Sequence, residues 1–204
     1  DGDVYGEGGN HLLHALRRNP DITVIVHNNQ LYALTKGQGS PTTPEGEPTR
    51  LQFEGMPLRP IDFLSTAILH DCTFVARGYA RRIDDLTDLV GRAIEHRGLS
   101  LLEVVQPCIT WSNHPLDWYD ERVTAVPDDH DPTDRHAAID LARQAPDRFA
   151  LGVLYELPER KTFGAAYRDR FGTVPLADRP PLDRRLVEER LHAFVVEAEE
   201  DADA

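Results

Sequence analysis

Asp1, the Asn28–Asn29 pair, Thr35–Lys36 and Cys108 are the residues whose types and spacing could do chemistry in this chain. Asp1-Gly2-Asp3 opens a stretch rich in glycine and acid, which can adopt backbone conformations that side chains forbid. Asn28 and Asn29 follow Ile22-Thr23-Val24-Ile25-Val26, an unbroken β-branched run that reads as a strand buried on both faces of a parallel sheet. In open α/β sheets, ligands bind in the loops at the carboxyl ends of strands. If Asp1 closes a strand lying upstream, its loop and the asparagine loop are neighbours across a helical crossover. One carboxylate and one carboxamide oxygen then converge. Oxygen ligands suit a hard cation such as Mg2+, which is commonly shared with phosphate oxygens. Backbone N–H groups of Gly2, Asp3 and the helix start near Gly9 would favour the diphosphate itself. Asp-Gly and Asn-Asn are also ordinary turn formers, so each pair could simply cap its loop.

The elements that must position these residues alternate. A helix is expected from about Gly9 to Arg18, carrying Leu12, Leu13, Ala15 and Leu16 on one face and stopped by Asn19-Pro20. Ser40 to Pro60 is a long Pro- and Gly-punctuated loop, the kind that forms lids or contact surfaces. Ile61–Leu69 reads as a helix and Thr73–Arg77 as a strand. A second helix led by Asp84 and Asp85 has Leu86, Leu89, Val90, Ala93 and Ile94 as its buried stripe, and His96-Arg97-Gly98 ends it. Ser100–Val105 is the next strand, and Gln106–Arg122 the polar segment leaving it, with Cys108, Trp111, His114 and Trp118. A helix over Asp131–Arg143, a strand over Leu151–Leu157 and an amphipathic helix over Leu182–Val196 with an acidic tail complete the pattern. Alternating strand and helix predict an α/β fold: a parallel sheet with helices on both faces. Residues 1–160 form the expected cofactor domain and 161–204 a C-terminal extension.

The formal net charge of -13 argues against nucleic acid as a partner, and no apolar run is long enough to span a bilayer. Lys36 and Lys161 are the only lysines among 22 basic residues, so Lys36 in a polar loop is a poor candidate for surface filler. Two cysteines cannot make a disulfide framework or a whole metal site, and a reducing cytoplasm is the default expectation. Gly6-Glu7-Gly8 begins like a dinucleotide fingerprint, but His11 stands where the third glycine belongs. His11 and His14 share a helical face without a third ligand, which favours polar packing over metal binding.

Asp1-Gly2 with Asn28-Asn29 a little under thirty residues on resembles the thiamine-diphosphate signature. The wider text narrows it. Asp1-Gly2-Asp3, Gly8-Gly9-Asn10-His11, His14 to Asn19, Asn29-Gln30-Leu31-Tyr32, Leu34-Thr35-Lys36-Gly37-Gln38, Ser40-Pro41-Thr42, Gln106-Pro107-Cys108 and Leu151 to Tyr155 together resemble the β subunit of 2-oxoacid:ferredoxin oxidoreductases. The resemblance covers roughly the first 160 residues and implies that a leading portion precedes Asp1. It implies Mg2+ held by Asp1, Asn29 and the carbonyl of Leu31, with Gly2 and Asp3 near thiamine diphosphate. Lys36, beside Thr35, would meet the substrate's distal carboxylate as a charge-assisted donor. Cys108 would be the fourth thiolate of a [4Fe-4S] cluster whose other ligands lie upstream; without that context it reads as a small buried hydrophobe, as does Cys72.

The implied chemistry is attack by the cofactor ylid on a 2-oxoacid, loss of CO2, electron transfer through the cluster to ferredoxin and acyl transfer to coenzyme A. An α subunit would supply the glutamate facing the aminopyrimidine. A non-redox thiamine enzyme and a catalytically silent subunit of the same fold are the rival readings.

Overall fold

A computed structural model of the chain describes residues 1–157, 159–181 and 183–192. They fall into two compact units, Asp1–Tyr167 and the described residues from Arg168 onward. In chain order, a wide π-helical turn over Gly2–Glu7 leads into α1 (Gly9–Arg18), β1 (Ile22–Asn28) and a small ribbon of β2 (Leu31–Tyr32) and β3 (Gln38–Gly39). There follow α2 (Phe63–Leu69), β4 (Phe74–Tyr79), α3 (Ile83–Glu95), β5 (Leu99–Val105), α4 (Leu116–Asp120), β6 (Val123–Ala125), α5 (Arg135–Ala142), β7 (Phe149–Glu156), α6 (Phe163–Phe171) and α7 (Arg184–His192).

The main sheet has the order β1-β5-β4-β7-β6. β1, β5 and β4 are parallel, as the alternation predicts. β7 instead runs antiparallel to β4, and β6 follows it, so the sheet is mostly parallel but mixed. Periodicity marks a strand's existence and burial but carries no direction, and β6 is only three residues long. β1 is an edge strand here, with Ile22 and Ile25 exposed rather than buried on both faces.

Helices cover both faces. Leu12 and Leu16 of α1, Leu64, Ala67 and Ile68 of α2 and Ala138 of α5 pack with Val75, Leu101 and Leu154 on one side. Leu89 and Ala93 of α3 pack with Phe74, Ala76 and Leu102 on the other. Ile94, expected in that stripe, faces solvent, and so do His11 and His14 of α1. α2 starts two residues later than expected because Asp62 caps it, accepting from Ser65 N at 2.9 Å. Asp134 caps α5 in the same way. α1 ends at Asn19 in the left-handed conformation. Its buried side chain accepts from Leu99 N at 2.7 Å and Thr73 Oγ1 at 3.0 Å, tying helix end to sheet.

In the second unit, Arg179 donates to the carbonyls of Val174 and Phe171, and Arg184–Glu188 and Arg185–Glu189 pair one turn apart on α7. The predicted tail and the end of the Leu182–Val196 helix lie outside the described residues. No described helix is long and apolar enough to cross a membrane.

Candidate cofactor site

β1 delivers Asn28 and Asn29 to the carboxyl edge of the sheet, where Gln30 turns the chain through a left-handed conformation (φ 61°). The two asparagines shape the turn themselves. Asn28 Oδ1 accepts from Gln30 N at 3.2 Å and Asn29 Oδ1 from Leu31 N at 3.0 Å, two successive side-chain-to-backbone turns. Asp1 lies against this loop: Asn29 N approaches its Oδ1 at 3.5 Å, and Thr42 Oγ1 lies 2.9 Å from its Oδ2. The π-helical turn holds Asp1 from behind, with Tyr5 N donating to its carbonyl at 2.7 Å. Gly2 has no room for a side chain, since a Cβ there would sit 2.3 Å from the Tyr32 ring. Asp3, by contrast, is exposed.

Beneath this loop lies a buried charge pair. Glu103 of β5 accepts from Arg77 Nε of β4 at 2.8 Å, from Asn28 Nδ2 at 3.1 Å and from the Tyr5 hydroxyl at 3.2 Å. Burial first, and Glu103 beside it, push the Tyr5 phenol well above its ordinary pKa, so it stays a donor. Arg77 Nη2 donates to the Ala142 carbonyl, while Nη1 has no acceptor. A cleft of about 320 Å3 opens above, lined among others by Asn28, Thr42, Phe63, Arg77, Glu103 and Phe149.

A second cluster is made of loops. Thr35 and Lys36 are exposed on a turn in which Lys36 has φ 80°, and Thr35 Oγ1 bonds Gln38 Oε1 at 2.6 Å. Gly37 (φ 93°) packs so tightly on Trp111 that a Cβ would lie 3.2 Å from it. Arg50 also lies over the Trp111 ring, its guanidinium 4.8 Å from the centroid. Cys108 is half-buried three residues before Trp111, and its carbonyl accepts from Ser112 N at 3.0 Å. Glu47 fastens the Ser40–Pro60 loop to this segment through Asn113 Nδ2 at 2.9 Å and His114 Nε2 at 3.1 Å. His114 in turn stacks on Trp118 with centroids 4.0 Å apart. Cys72 is fully buried and its thiol is pushed up to about 11 by burial, as a structural cysteine should be.

Among the expected site residues, Asp1, Asn29 and Leu31 thus gather in one cluster, and Thr35, Lys36 and Cys108 sit on two loops joined through Gly37 and Trp111. Among the described residues no three His, Cys, Asp or Glu side chains group as a metal site. A cation at Asp1 would have a carboxamide and backbone carbonyls beside the carboxylate, oxygen donors of the kind that suit Mg2+. Cys108 is a single free cysteine, where a four-cysteine cluster needs four. Reading the sequence did not single out Thr42, Arg77, Glu103 or Glu47. Two of these carried a signal: an Arg and a Glu inside otherwise apolar strands.

Residues 1–104 match the thiamine pyrophosphate enzyme, C-terminal TPP binding domain, and residues 108–169 match the C-terminal part of the pyruvate ferredoxin oxidoreductase beta subunit. The 2-oxoacid:ferredoxin oxidoreductase subunit beta of Sulfolobus sp is 38% identical over 168 residues, 76% of this chain and 55% of that protein. The 2-oxoacid:ferredoxin oxidoreductase 1, subunit beta, of Aeropyrum pernix is 34% identical over 197 residues, 89% of this chain and 60% of that protein. A solved 2-oxoglutarate:ferredoxin oxidoreductase from Magnetococcus marinus, with 2-oxoglutarate, coenzyme A and succinyl-CoA bound, superposes with a TM-score of 0.81 at 29% identity, over 93% of this chain and 65% of that one. The chain therefore spans roughly half to two thirds of the length of these relatives.

Proposed function

The chain belongs to the thiamine pyrophosphate enzymes, and within them to the β subunits of 2-oxoacid:ferredoxin oxidoreductases, and from this we propose that it binds Mg2+-thiamine diphosphate for the oxidative decarboxylation of a 2-oxoacid to an acyl-CoA. Its partners in this reading are an α subunit, ferredoxin, the 2-oxoacid and coenzyme A, in the cytoplasm. The observation that carries it is the approach of the Asp1 carboxylate to the Asn28–Asn29 turn, inside the segment that matches the cofactor-binding family.

Asp1, Asn29 and the Leu31 carbonyl would hold Mg2+, and the backbone of Gly2 and Asp3 would face the diphosphate. Thiamine diphosphate, when bound, supplies the carbon nucleophile that the side chains of a protein lack. The chain's own residues bind and orient. Thr35 and Lys36 sit on a turn whose left-handed backbone is a strained conformation of the kind found at working sites. Lys36 offers an ammonium to a substrate carboxylate, and so bears on substrate choice. Cys108 would add one thiolate to a [4Fe-4S] cluster, its other ligands coming from elsewhere in the protein. The Gly37–Trp111 contact would fix the distance between the loop carrying that thiolate and the loop facing the substrate, and the Glu47 bridge would hold the Ser40–Pro60 loop against the same segment.

The test uses the full-length β chain assembled with its α partner. Calorimetry should show thiamine diphosphate binding that requires Mg2+ and is lost in Asp1→Ala. Iron and sulfide analysis should show a cluster in the parent complex that Cys108→Ser impairs. Magnesium-independent binding, or a full cluster without Cys108, would remove the corresponding half of the assignment.

A further inference from the structure

The side chain of Asp1 is restrained on one oxygen only. Its Oδ2 lies 2.9 Å from Thr42 Oγ1, whereas Oδ1 has only the long 3.5 Å approach of Asn29 N. Thr42 is buried and cannot drift: its Oγ1 is also 2.8 Å from Asn28 Oδ1 and 3.2 Å from Ser40 Oγ. Asn28 is held by Glu103, Glu103 by Arg77 and by Tyr5, and Tyr5 N returns to the Asp1 carbonyl. The contacts close a ring that leaves Asp1 and comes back to it.

Thr42 has a single hydroxyl proton and three neighbouring oxygens, Asp1 Oδ2, Asn28 Oδ1 and Ser40 Oγ, of which the serine hydroxyl can itself donate to Thr42. The ionised carboxylate is the stronger acceptor. Asn28 Oδ1 is in addition supplied by Gln30 N. The proton therefore belongs on the Asp1 side, and it occupies Oδ2 while leaving Oδ1 available.

We propose that Thr42 is a positioning residue that makes Asp1 a one-oxygen ligand and thereby selects Mg2+ over larger divalent cations. Mg2+ demands near-ideal octahedral geometry, while Ca2+ accepts carboxylates through one or both oxygens and tolerates irregular shells. A carboxylate with one oxygen tethered suits the first ion. A carboxylate free to rotate and present both oxygens suits the second. The inference rests on the reading of Asp1 as a metal ligand, and it concerns a residue that touches neither the metal nor the cofactor in that reading.

The experiment compares the full-length αβ complex carrying Thr42, Thr42→Ser or Thr42→Val. Mg2+ and Ca2+ are each titrated in the presence of thiamine diphosphate, and binding is followed by calorimetry. Groups that orient a metal ligand are typically worth 10–100-fold in metal affinity. Thr42→Val should lose about that factor for Mg2+ and much less for Ca2+, so that the Mg2+/Ca2+ preference falls about tenfold or more. Thr42→Ser, which keeps the hydroxyl, should retain the parent preference. If the valine complex does not assemble, Thr42→Ala takes its place in the same titrations. Equal losses for both ions, or none, would overturn the proposal, as would a serine variant that behaves like valine. Absence of metal-dependent binding in the parent complex would instead remove the assignment of Asp1.

Discussion

The Asp1 cluster and the Cys108 cluster are built in opposite ways. Asp1, Asn28 and Thr42 rest on side chains of two adjacent central strands, through a charge pair whose members are 2% and 4% exposed. Thr35, Lys36 and Cys108 rest on loops held by a glutamate bridge, a glycine under an indole and a stacked imidazole, outside the strands of the sheet. In the proposed reading the first arrangement would hold metal-ligating oxygens in place, as coordination geometry requires. The second would tolerate adjustment, as substrates of different length would require. Within one chain, rigidity and adaptability are thus assigned to strands and to loops.

The sharpest way to break this contrast is at Arg77. Its removal as Arg77→Met strands Glu103 as a buried carboxylate, which costs about 3–5 kcal/mol when one partner of a buried pair is lost. Urea denaturation of the assembled complex should show a loss of that size. The double variant Arg77→Met/Glu103→Leu should be less damaging than the two single changes summed, because no uncompensated charge remains. A loss below about 1 kcal/mol for Arg77→Met would put the strand cluster on the same footing as a surface ion pair.

A smaller effect is expected at Tyr5. Tyr5→Phe keeps the stack on Phe63, at 4.4 Å between centroids, and deletes only the bond to Glu103. Hydrogen bonds to charged groups are worth about 1.5–3 kcal/mol, so the same measurement should show a loss in that range. An unchanged midpoint would mean that Asn28 and Arg77 satisfy Glu103 without it.

Much of the strand cluster's scaffold was legible in the sequence, and little of its wiring was. α1, α3 and β5 follow from the spacing of Leu12 and Leu16, of Leu89 and Ala93, and from the apolar run after Gly98, because burial of one face determines period. The turn at Asn28–Asn29 was legible because asparagine bonds its own backbone. Thr42 was not, since a threonine in a Ser-Pro-Thr-Thr loop gives no hint of a partner 41 residues earlier. The reversal of β7 was equally hidden, for an apolar run reads the same in either direction. α6 has no buried residue and α4 is a single short helix in a polar segment, so neither left a periodic trace.

At the loop cluster the effects should shrink in stability and grow in mobility. Glu47→Ala removes the bonds to Asn113 and His114, both near the surface, and pairs of this kind contribute about 0–1 kcal/mol. Global unfolding should shift little. Hydrogen exchange over residues 44–56 and 108–114 should rise several-fold, because opening of a loop needs only its local contacts to break. A global loss above about 2 kcal/mol would show that the loops belong to the cooperative core.

The two cysteines carry the contrast to its smallest scale. The thiolate is the species that alkylating agents attack. Cys72, two residues before β4, is fully buried, and burial pushes its thiol up to about 11, so at pH 8 roughly one thiol in a thousand is ionised. Cys108 sits half-buried on a loop and needs no unfolding to be reached. After chelation of any iron, iodoacetamide at pH 8 should label Cys108 in the folded complex and Cys72 only after denaturant is added, with peptide mapping to locate the label. Labelling Cys108 should leave the urea midpoint nearly unchanged, because the residue lies on a loop outside the strands and helices. Prompt labelling of Cys72 in the native complex would mean that the strand ends under α2 open as readily as the loops, and the division between a rigid strand cluster and an adaptable loop cluster would fail at its foundation.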